Sequence, residues 1–461
     1  PHNVAPRPMH RQSDNMTGGT IWKAITFFAV PLILGNFFQQ LYNAADSLIV
    51  GNLLGNKALA AVSGTGNLIF LLVGFINGIS LGAGVVISQQ FGAGDLQNMR
   101  RSIHTLAAFG LAAGLGLTVF GVLCTPQILH WMNTPDDVFP ETMQYLRVYF
   151  AGALGLTGYN ALASILQAVG NSRYPLYFLV LSSVVNIVLD VVFIALLHWG
   201  VWSAAAATVI SQFLSALLCA LVLCRSVSPW RLSPGSIRFH EGCLKSLASY
   251  GFPSGLQNCV IGLSNVVIQS HINLFGAAAM AGCGAYQKIE GFCLIPVMSL
   301  ALALATFVGQ NTGARHPLRV RAGTGFGLIL SMILAELIGV GVLVWRDAFM
   351  SLFSSDADVI RIGADYARVA APFYFLPACT HCMAAAFRGA GKPMFAMSVI
   401  LVCWCAVRVG TLSTLMTLFP TIATIYWIYP ATWTLSSLAF LLAWRRMSSG
   451  LSRGHRRMHL S

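Results

Sequence analysis

The sequence predicts an all-α integral membrane protein whose twelve transmembrane helices form two six-helix bundles, related by pseudo-two-fold symmetry around a central cavity. Three observations predict this fold. Of the 461 residues, 56% are hydrophobic and 9% are charged, a composition that excludes a soluble domain of this size. Apolar runs long enough to cross a bilayer recur along the chain. The second half of the chain also repeats motifs of the first half at a nearly constant spacing.

Twelve apolar runs are long enough to cross a hydrocarbon core about 30 Å thick. In chain order they cover residues 24–50, 59–83, 103–125, 143–168, 175–197, 200–224, 247–275, 280–308, 323–345, 366–387, 395–418 and 424–444. The chain therefore divides into an N-terminal segment (1–23), a first lobe of six helices (24–224), a linker (225–246), a second lobe of six helices (247–444) and a basic tail (445–461). The linker contains Pro229, Pro234 and Gly235, residues typical of connecting segments.

The internal repeat consists of motif pairs with one offset. A spacing of 221 residues relates Tyr145–Val148 to Tyr366–Val369, Gln89 to Gln310, and Gly92 to Gly313, and a spacing of 222 relates Pro31 to Pro253. Such a shift over half the chain indicates a duplicated unit of six helices. Because six helices return the chain to its starting side, the two copies are expected to be parallel, with a cavity between them.

The Lys and Arg residues predict the side of the membrane that each loop occupies. If both termini are cytoplasmic, twenty basic residues lie at cytoplasmic ends and loops, and five lie on the opposite side. This asymmetry accounts for the net charge of +13. No basic groove with interleaved aromatic residues indicates nucleic-acid binding. We therefore expect both termini, the linker and the basic tail to be cytoplasmic.

Two aspartates interrupt the apolar runs of the first lobe, where a carboxylate is costly and usually has a function. Asn186 and Asp190 are four residues apart in the fifth run, so their side chains share one face of a helix. Asp46 lies in the first run and Thr208 in the sixth. Their oxygens suit a hard alkali cation or a proton, so we predict an ion-coupling site here, and no metal site other than for sodium. The alternative is that Asp190 only ties neighbouring helices together.

Other polar residues in the apolar runs are candidates to contact a substrate. They are Gln39 and Asn43 in the first run, Gln257, Asn258 and Asn265 in the seventh, and Glu290 in the eighth. Glu290 suits a cationic substrate, although an ion pair with a nearby basic group explains it about as well. Arg408 in the eleventh run requires an anionic or carbonyl partner. Because basic residues are scarce at mid-depth, organic cations are the expected substrates.

Pro31 is a candidate hinge in the first run, fifteen residues before Asp46. A proline inside a helix removes one backbone hydrogen bond and leaves a bending point. The charge state of the Asp46–Asp190 pair would then choose between a bent and a straight first helix. The alternative is that Pro31 lies near the end of the span, where prolines are tolerated without a function.

Some function classes are not indicated. Cys379, His381 and Cys382 are expected to pack inside the tenth run rather than to bind a metal. The sequence contains no nucleophile–base or metal cluster near one membrane face, which argues against a membrane enzyme. We expect no cofactor other than the coupling ion.

Several short motifs resemble those of multidrug and toxic compound extrusion (MATE) transporters. They are Leu41–Asp46, Ser88–Asp95, Asn186–Asp190, Val308–Ala314 and Arg388–Pro393. The resemblance implies a monomeric exporter of small organic cations in a bacterial inner membrane, driven by sodium or proton entry. It also implies that Asp46, Asn186, Asp190 and Thr208 form the first-lobe ion site.

The resemblance is weaker in the second lobe. Family members with acids in the seventh and tenth spans differ from this chain, which has Gln257, Asn258, Ile261 and His381 there. The resemblance therefore does not imply ion coupling through the second lobe. A lipid-linked precursor flippase from a related branch remains an alternative, although it would be expected to have several arginines in its cavity.

Overall fold

The computed structural model describes residues 15–131, 134, 136 and 138–458, with side chains at all of these except 56–57, 59–61, 63–64, 67 and 449–458. The basic residues Arg7 and Arg11 therefore lie outside the described part, as do the side chains of Lys57 and of the arginines beyond position 448. All regular secondary structure among the described residues is helical. This agrees with the fold class that the composition predicts.

The described residues form twelve helical spans, and each overlaps one of the predicted apolar runs. They are Ile21–Leu54; Asn56–Gly92; Leu96–Trp131; Phe139–Ala151 with Ala153–Ala168; Arg173–Asp190 with the π-helix Val191–Leu196; Trp202–Arg225; Glu241–Asn273; Ala277–Cys293 with Ile295–Gly313; Pro317–Val344; Ala357–Ala370 with Phe375–Gly389; Pro393–Ile400 with the π-helix Leu401–Val407 and Arg408–Leu418; and Ile422–Met458. Most extend past the apolar runs because the helix continues into polar residues at the membrane surface.

Composition alone does not identify every span. Nine of the described helices are long and apolar enough to cross a membrane, or ten if the pair Ala357–Phe373 and Phe375–Gly389, bent by 53°, counts as one span. The fourth span is interrupted at Gly152, so neither half is long enough alone. The seventh span carries many polar residues, which lowers its hydrophobicity.

The linker between the lobes is held against the start of the third span. Arg100 Nε donates to the Pro229 carbonyl at 2.8 Å, and the Ser233 amide donates to His104 Nε2 at 3.1 Å. The linker includes a short 3-10 turn, Pro234–Ser236, before the seventh span begins at Glu241. We call the membrane side that holds this connection the linker side.

The lobes meet closely along the second and seventh spans. A Cβ on Gly78 would lie 2.6 Å from the Cα of Gly255 and from the carbonyl oxygen of Ser254. Glycine therefore lets the two backbones touch at this crossing. Two hydrogen bonds also join the lobes. Asn258 Nδ2 donates to the Gly74 carbonyl at 3.1 Å, and Gln89 Nε2, nearer the linker side, donates to the Gly389 carbonyl at 2.9 Å.

The repeated motifs face each other across the pseudo-two-fold axis. The backbone carbonyl of Gln310 comes so close to Gly92 that a Cβ there would overlap it, and the carbonyl of Gln89 does the same at Gly313. These are the residue pairs that the 221-residue offset relates. The duplicated sequence thus forms one reciprocal contact, which joins the lobes at the linker-side ends of the second and eighth spans.

Candidate ion-coupling site

The first lobe brings Asp46 and Asp190 together in its interior. Asp46 lies on the first span and is 9% exposed, and Asp190 lies on the fifth span and is 0% exposed. Their carboxyl groups are close enough to interact directly. Within the described part of the chain, neither acid forms an ion pair with a basic residue. Two carboxyl groups therefore share an apolar environment without a basic partner.

Five buried oxygen atoms around this pair accept no hydrogen bond from any described residue. They are Asp46 Oδ1, Asp190 Oδ1, Asp190 Oδ2, Asn186 Oδ1 and Gln212 Oε1. A buried acceptor without a donor costs about 1–3 kcal/mol. Because all five atoms are acceptors, they cannot satisfy one another. The cluster therefore presents acceptor oxygens that no described donor satisfies.

The side-chain nitrogens of Asn186 and Gln212 donate hydrogen bonds, whereas the side-chain oxygens of the same residues have no donor among the described residues. Asn186 Nδ2 donates to Thr208 Oγ1 at 3.4 Å, which joins the fifth and sixth spans. Gln212, one turn after Thr208, donates from Nε2 to the Tyr42 hydroxyl, also at 3.4 Å. With each nitrogen used in this way, the oxygen of the same amide remains available as a ligand.

The backbone beside Asp190 is also irregular. The fifth span changes from an α-helix to the π-helix Val191–Leu196 directly after this residue. Short π-helical turns often occur at functional sites, because they alter backbone hydrogen bonding and the direction of the side chains. The irregularity is therefore located where an ion would bind.

The four predicted ion-coupling residues thus lie in one region of the first lobe. The two substrate candidates of the first span, Gln39 and Asn43, have different surroundings. Gln39 lies beside the Tyr42 hydroxyl, at the edge of the acid pair. Asn43 is exposed, and its Nδ2 donates to Gln40 Oε1 at 3.3 Å. Asn43 therefore lies outside the group of unsatisfied oxygens.

Tyr42, Tyr145 and Gln212 belong to this region although the sequence analysis did not select them. Tyr42 is 7% exposed and Tyr145 is 5% exposed. Both tyrosines are close enough to Asp46 and Asp190 to interact electrostatically. Their hydroxyl groups bring polar atoms to an otherwise apolar pocket.

The second lobe contains a buried arginine instead of an acid pair. Arg408 is 2% exposed, and its Nε donates to Thr432 Oγ1 at 3.0 Å. Its guanidinium carbon lies 4.9 Å from the ring centre of Trp404 and 4.7 Å from that of Tyr429. Two aromatic faces and a hydroxyl are therefore its direct contacts, and the anionic group that interacts with it is Glu290, which lies farther away. Arg408 Nη2 is buried without a partner among the described residues.

Glu290 lies near Arg408 without forming an ion pair within 4.0 Å among the described groups. The Tyr286 hydroxyl donates to Glu290 Oε1 at 3.4 Å, and the hydroxyls of Tyr286 and Tyr374 are 2.9 Å apart. The glutamate is thus connected to a network of tyrosines. Its side chain is partly exposed.

The other candidates in the seventh span have separate environments. Gln257 is buried, and its Oε1 accepts a hydrogen bond from Arg388 at 3.4 Å. Asn258 donates from Nδ2 to the Gly74 carbonyl at 3.1 Å, which joins the lobes. Asn265 is exposed. The structure therefore does not bring these three residues together with Glu290 in one site.

Two further predictions concern Pro31 and the cysteines of the tenth span. Pro31 lies inside the continuous helix Ile21–Leu54. Cys379 and Cys382 are buried, and the His381 ring packs edge-on against Trp404 with centres 5.3 Å apart. Among the described residues, no group of three or more His, Cys, Asp or Glu side chains is placed to hold a metal ion.

Comparison with known proteins identifies relatives along most of the chain. The MatE family model matches residues 31–192 and 253–411. The chain is 30% identical to the probable multidrug resistance protein YpnP of Bacillus subtilis over 363 residues, covering 78% of this chain and 80% of that protein. It is 25% identical to the probable multidrug resistance protein NorM of Thermotoga maritima, with 83% of each covered.

A solved structure shares the fold. It is described as the outward-facing conformation of a multidrug resistance MATE family transporter, and it superposes with a TM-score of 0.89 at 21% identity. The match covers 96% of this chain and 99% of that one. The arrangement of two six-helix bundles is therefore the same in both proteins.

Proposed function

Because the chain belongs to the multidrug and toxic compound extrusion (MATE) family, we propose that it is a secondary active antiporter that exports cationic amphiphilic molecules in exchange for sodium ions or protons. One observation carries the proposal: five buried acceptor oxygens around Asp46 and Asp190 have no donor among the described residues. Oxygen ligands of this kind suit sodium, and two adjacent carboxyl groups suit protons. Both ions can therefore compete for one site.

We propose that the linker side is cytoplasmic, as the excess of basic residues there indicates. The contact between Gln89, Gly92, Gln310 and Gly313 then joins the lobes at their cytoplasmic ends. The cleft between the lobes would face the outside, as the description of the solved relative says of that protein. Export would require this contact to open and a contact on the other side to form.

The proposed substrates are organic cations, bound by apolar surface and by Glu290. Apolar pockets with few polar groups accept many ligands. In the second lobe Arg408 and Arg388 are the features that favour the alternative, a flippase for an anionic lipid-linked precursor. Binding of an ethidium-like cation to the purified protein, with no binding of diphosphate lipids, supports the antiporter. The reverse result supports the flippase.

The coupling ion can be identified with vesicles that contain the purified protein. Dye efflux is measured under an imposed sodium gradient, and separately under an imposed proton gradient. We expect at least one gradient to drive efflux in the unmodified protein and neither to drive it in Asp190→Asn. Asp347→Asn is the matched control because Asp347 is exposed and distant in sequence from the acid pair. Equal efflux with and without a gradient would contradict antiport.

A further inference from the structure

A strongly basic cavity lies on the linker side, between the start of the third span and the linker. Its volume is about 600 Å³. The basic side chains that line it are those of Arg100, Arg101, His104, Arg231, Arg238 and His240, and none of its described lining residues is acidic. This volume is sufficient for a phosphate-bearing group together with bound water.

Backbone and histidine contacts hold the walls of the cavity in place. His104 is buried, with Nδ1 2.7 Å from the Arg100 carbonyl and Nε2 accepting from the Ser233 amide at 3.1 Å. This imidazole therefore fastens the linker to the third span. The His240 amide donates to Thr105 Oγ1 at 3.2 Å. Arg101 and Arg231 are exposed, and neither forms an ion pair with a described acid.

The positive charge in this region is not neutralised locally. Burial lowers the pKa of His240, and the charges of Arg238 and Arg101 lower it further. The nearest acid along the chain, Glu241, lines an adjoining cavity of about 520 Å³ that also includes Arg101 and His240. Glu241 is thus the one acid among the described residues that line the two cavities, whereas four of these residues are arginines. An anion with more than one oxygen can contact several of these guanidinium groups at once.

An apolar groove continues directly from the basic cavity. Its volume is about 550 Å³, and most of its lining is apolar, including Phe178, Leu218, Leu221 and Trp230. Asn171, Arg225 and Ser226 also line it. The groove and the basic cavity share Val227 and Ser228. Val227 is 92% exposed although it is apolar. The combined surface therefore has a charged end at the membrane boundary and an apolar end that extends toward the lipid.

On the linker side of the second lobe, the N-terminal segment contacts one arginine. Arg319, at the start of the ninth span, donates to the carbonyls of Met16, Gly18 and Gly19 at 2.9–3.1 Å. The N-terminal segment thus satisfies the arginine at that position. A general excess of basic residues on one side of the membrane explains the charge of both lobes, but it does not explain why the basic cavity of the first lobe adjoins a largely apolar groove.

We propose that this surface binds an anionic phospholipid, with the phosphodiester headgroup in the basic cavity and an acyl chain in the adjoining groove. The proposal does not depend on the transported substrate or on the coupling ion. Its basis is the continuity of the two cavities, because a free phosphate would use the arginines but not the groove. Juxtamembrane arginines commonly attract anionic headgroups in this way.

Lipid binding to the full-length protein in detergent tests the proposal. Native mass spectrometry measures the affinities for phosphatidylglycerol, for phosphatidylcholine with the same acyl chains, and for inorganic phosphate. We expect phosphatidylglycerol to bind most tightly. The double variant Arg101→Gln with Arg231→Gln should weaken its binding by on the order of tenfold to thirtyfold. The matched control is Arg315→Gln with Arg321→Gln, which removes the same charge from the linker side of the second lobe.

Two comparisons distinguish the sources of binding. Val227→Asn should weaken phosphatidylglycerol but not inorganic phosphate, because it makes the junction with the groove polar without adding a charge. Elution volume and thermal unfolding without lipid establish that each variant is folded. Equal loss in both double variants would assign the effect to overall charge and overturn the proposal. So would phosphatidylcholine or inorganic phosphate binding as tightly as phosphatidylglycerol.

Discussion

The two lobes repeat one fold, but their interiors have opposite charge. An offset of 218 residues aligns Pro175 with Pro393 and places Arg408 where the first lobe has Asp190. Both positions are fully enclosed by their own lobe. In the first lobe, oxygen atoms without described hydrogen-bond donors lie around Asp190. In the second lobe, two aromatic rings pack against Arg408.

Each lobe also has a polar contact to a threonine of its last span. Asn186 donates to Thr208 of the sixth span, and Arg408 donates to Thr432 of the twelfth, where each threonine follows an alanine. The ionisable group at the matched position is thus an acid in the first lobe and a base in the second. A guanidinium cannot bind a cation, so the comparison predicts that ion coupling belongs to the first lobe alone.

The largest expected effect is the loss of coupling in Asp46→Asn and Asp190→Asn. Each change removes a carboxylate that would hold the ion, and one charge moved through 100 mV is worth about 2.3 kcal/mol. We expect gradient-driven efflux to be abolished while the protein still reaches the membrane. Efflux in vesicles and the amount of protein in the membrane are measured together. Full drug resistance in cells that carry either variant would contradict the assignment.

The next effect concerns stability in the second lobe. Arg408→Ala removes a buried group packed between two aromatic rings, which should cost about 2–4 kcal/mol of unfolding free energy. The ion dependence of any remaining transport should be unchanged. Thermal unfolding in detergent measures the first effect, with Arg368→Ala as the exposed control. If Arg408→Ala abolished ion dependence without lowering stability, coupling would not be confined to the first lobe.

A smaller effect is expected at the two prolines that the repeat relates. Pro31→Ala should lower export more than it lowers drug binding. The proposed hinge would change the volume of the first-lobe cavity during transport, but Pro31 itself is not proposed to contact the drug. Pro253→Ala is the control, since its span has no aspartate in the corresponding position. Export is measured in cells and binding on detergent-purified protein. A proportional loss of both would remove the hinge proposal and favour rigid rotation of the lobes.

The smallest effect is expected for Tyr42→Phe, which removes one hydroxyl beside the acid pair. The bond from Gln212 Nε2 is long, at 3.4 Å, so its loss should change ion affinity by about 0.5–1.5 kcal/mol. The ion concentration that gives half-maximal efflux measures this change. Tyr174→Phe serves as a control because that ring is exposed. A complete loss of efflux in Tyr42→Phe would mean that the hydroxyl is an essential ligand.

Helical periodicity predicted part of this arrangement. The four-residue spacing of Asn186 and Asp190 places both on one face, and the fifth span has this geometry. The same rule could have selected Tyr42, four residues before Asp46, and Gln212, four residues after Thr208. Asn43 was selected instead because it is the more polar neighbour, yet it is exposed.

Other features depend on contacts between distant spans. Trp404 lies one turn before Arg408 and could have been proposed as its partner from spacing alone. Tyr429 belongs to the next span, and its place over the guanidinium follows only from the way the helices pack. The π-helix after Asp190 has no signal in the sequence, since its residues are ordinary apolar ones. Residue spacing therefore predicted which side chains share one face of a helix. The burial of each charged group depends instead on how distant spans pack together.

The absence of a basic partner for the acid pair, within the described structure, has an electrical consequence. Asp46 and Asp190 can carry two negative charges, and no described guanidinium or ammonium group forms an ion pair with either. If two monovalent ions neutralise the pair and one monovalent organic cation leaves, each cycle carries one net positive charge inward. Export would then be electrogenic, so an inside-negative potential of 100 mV would add about 2.3 kcal/mol per cycle to the force from the ion gradient.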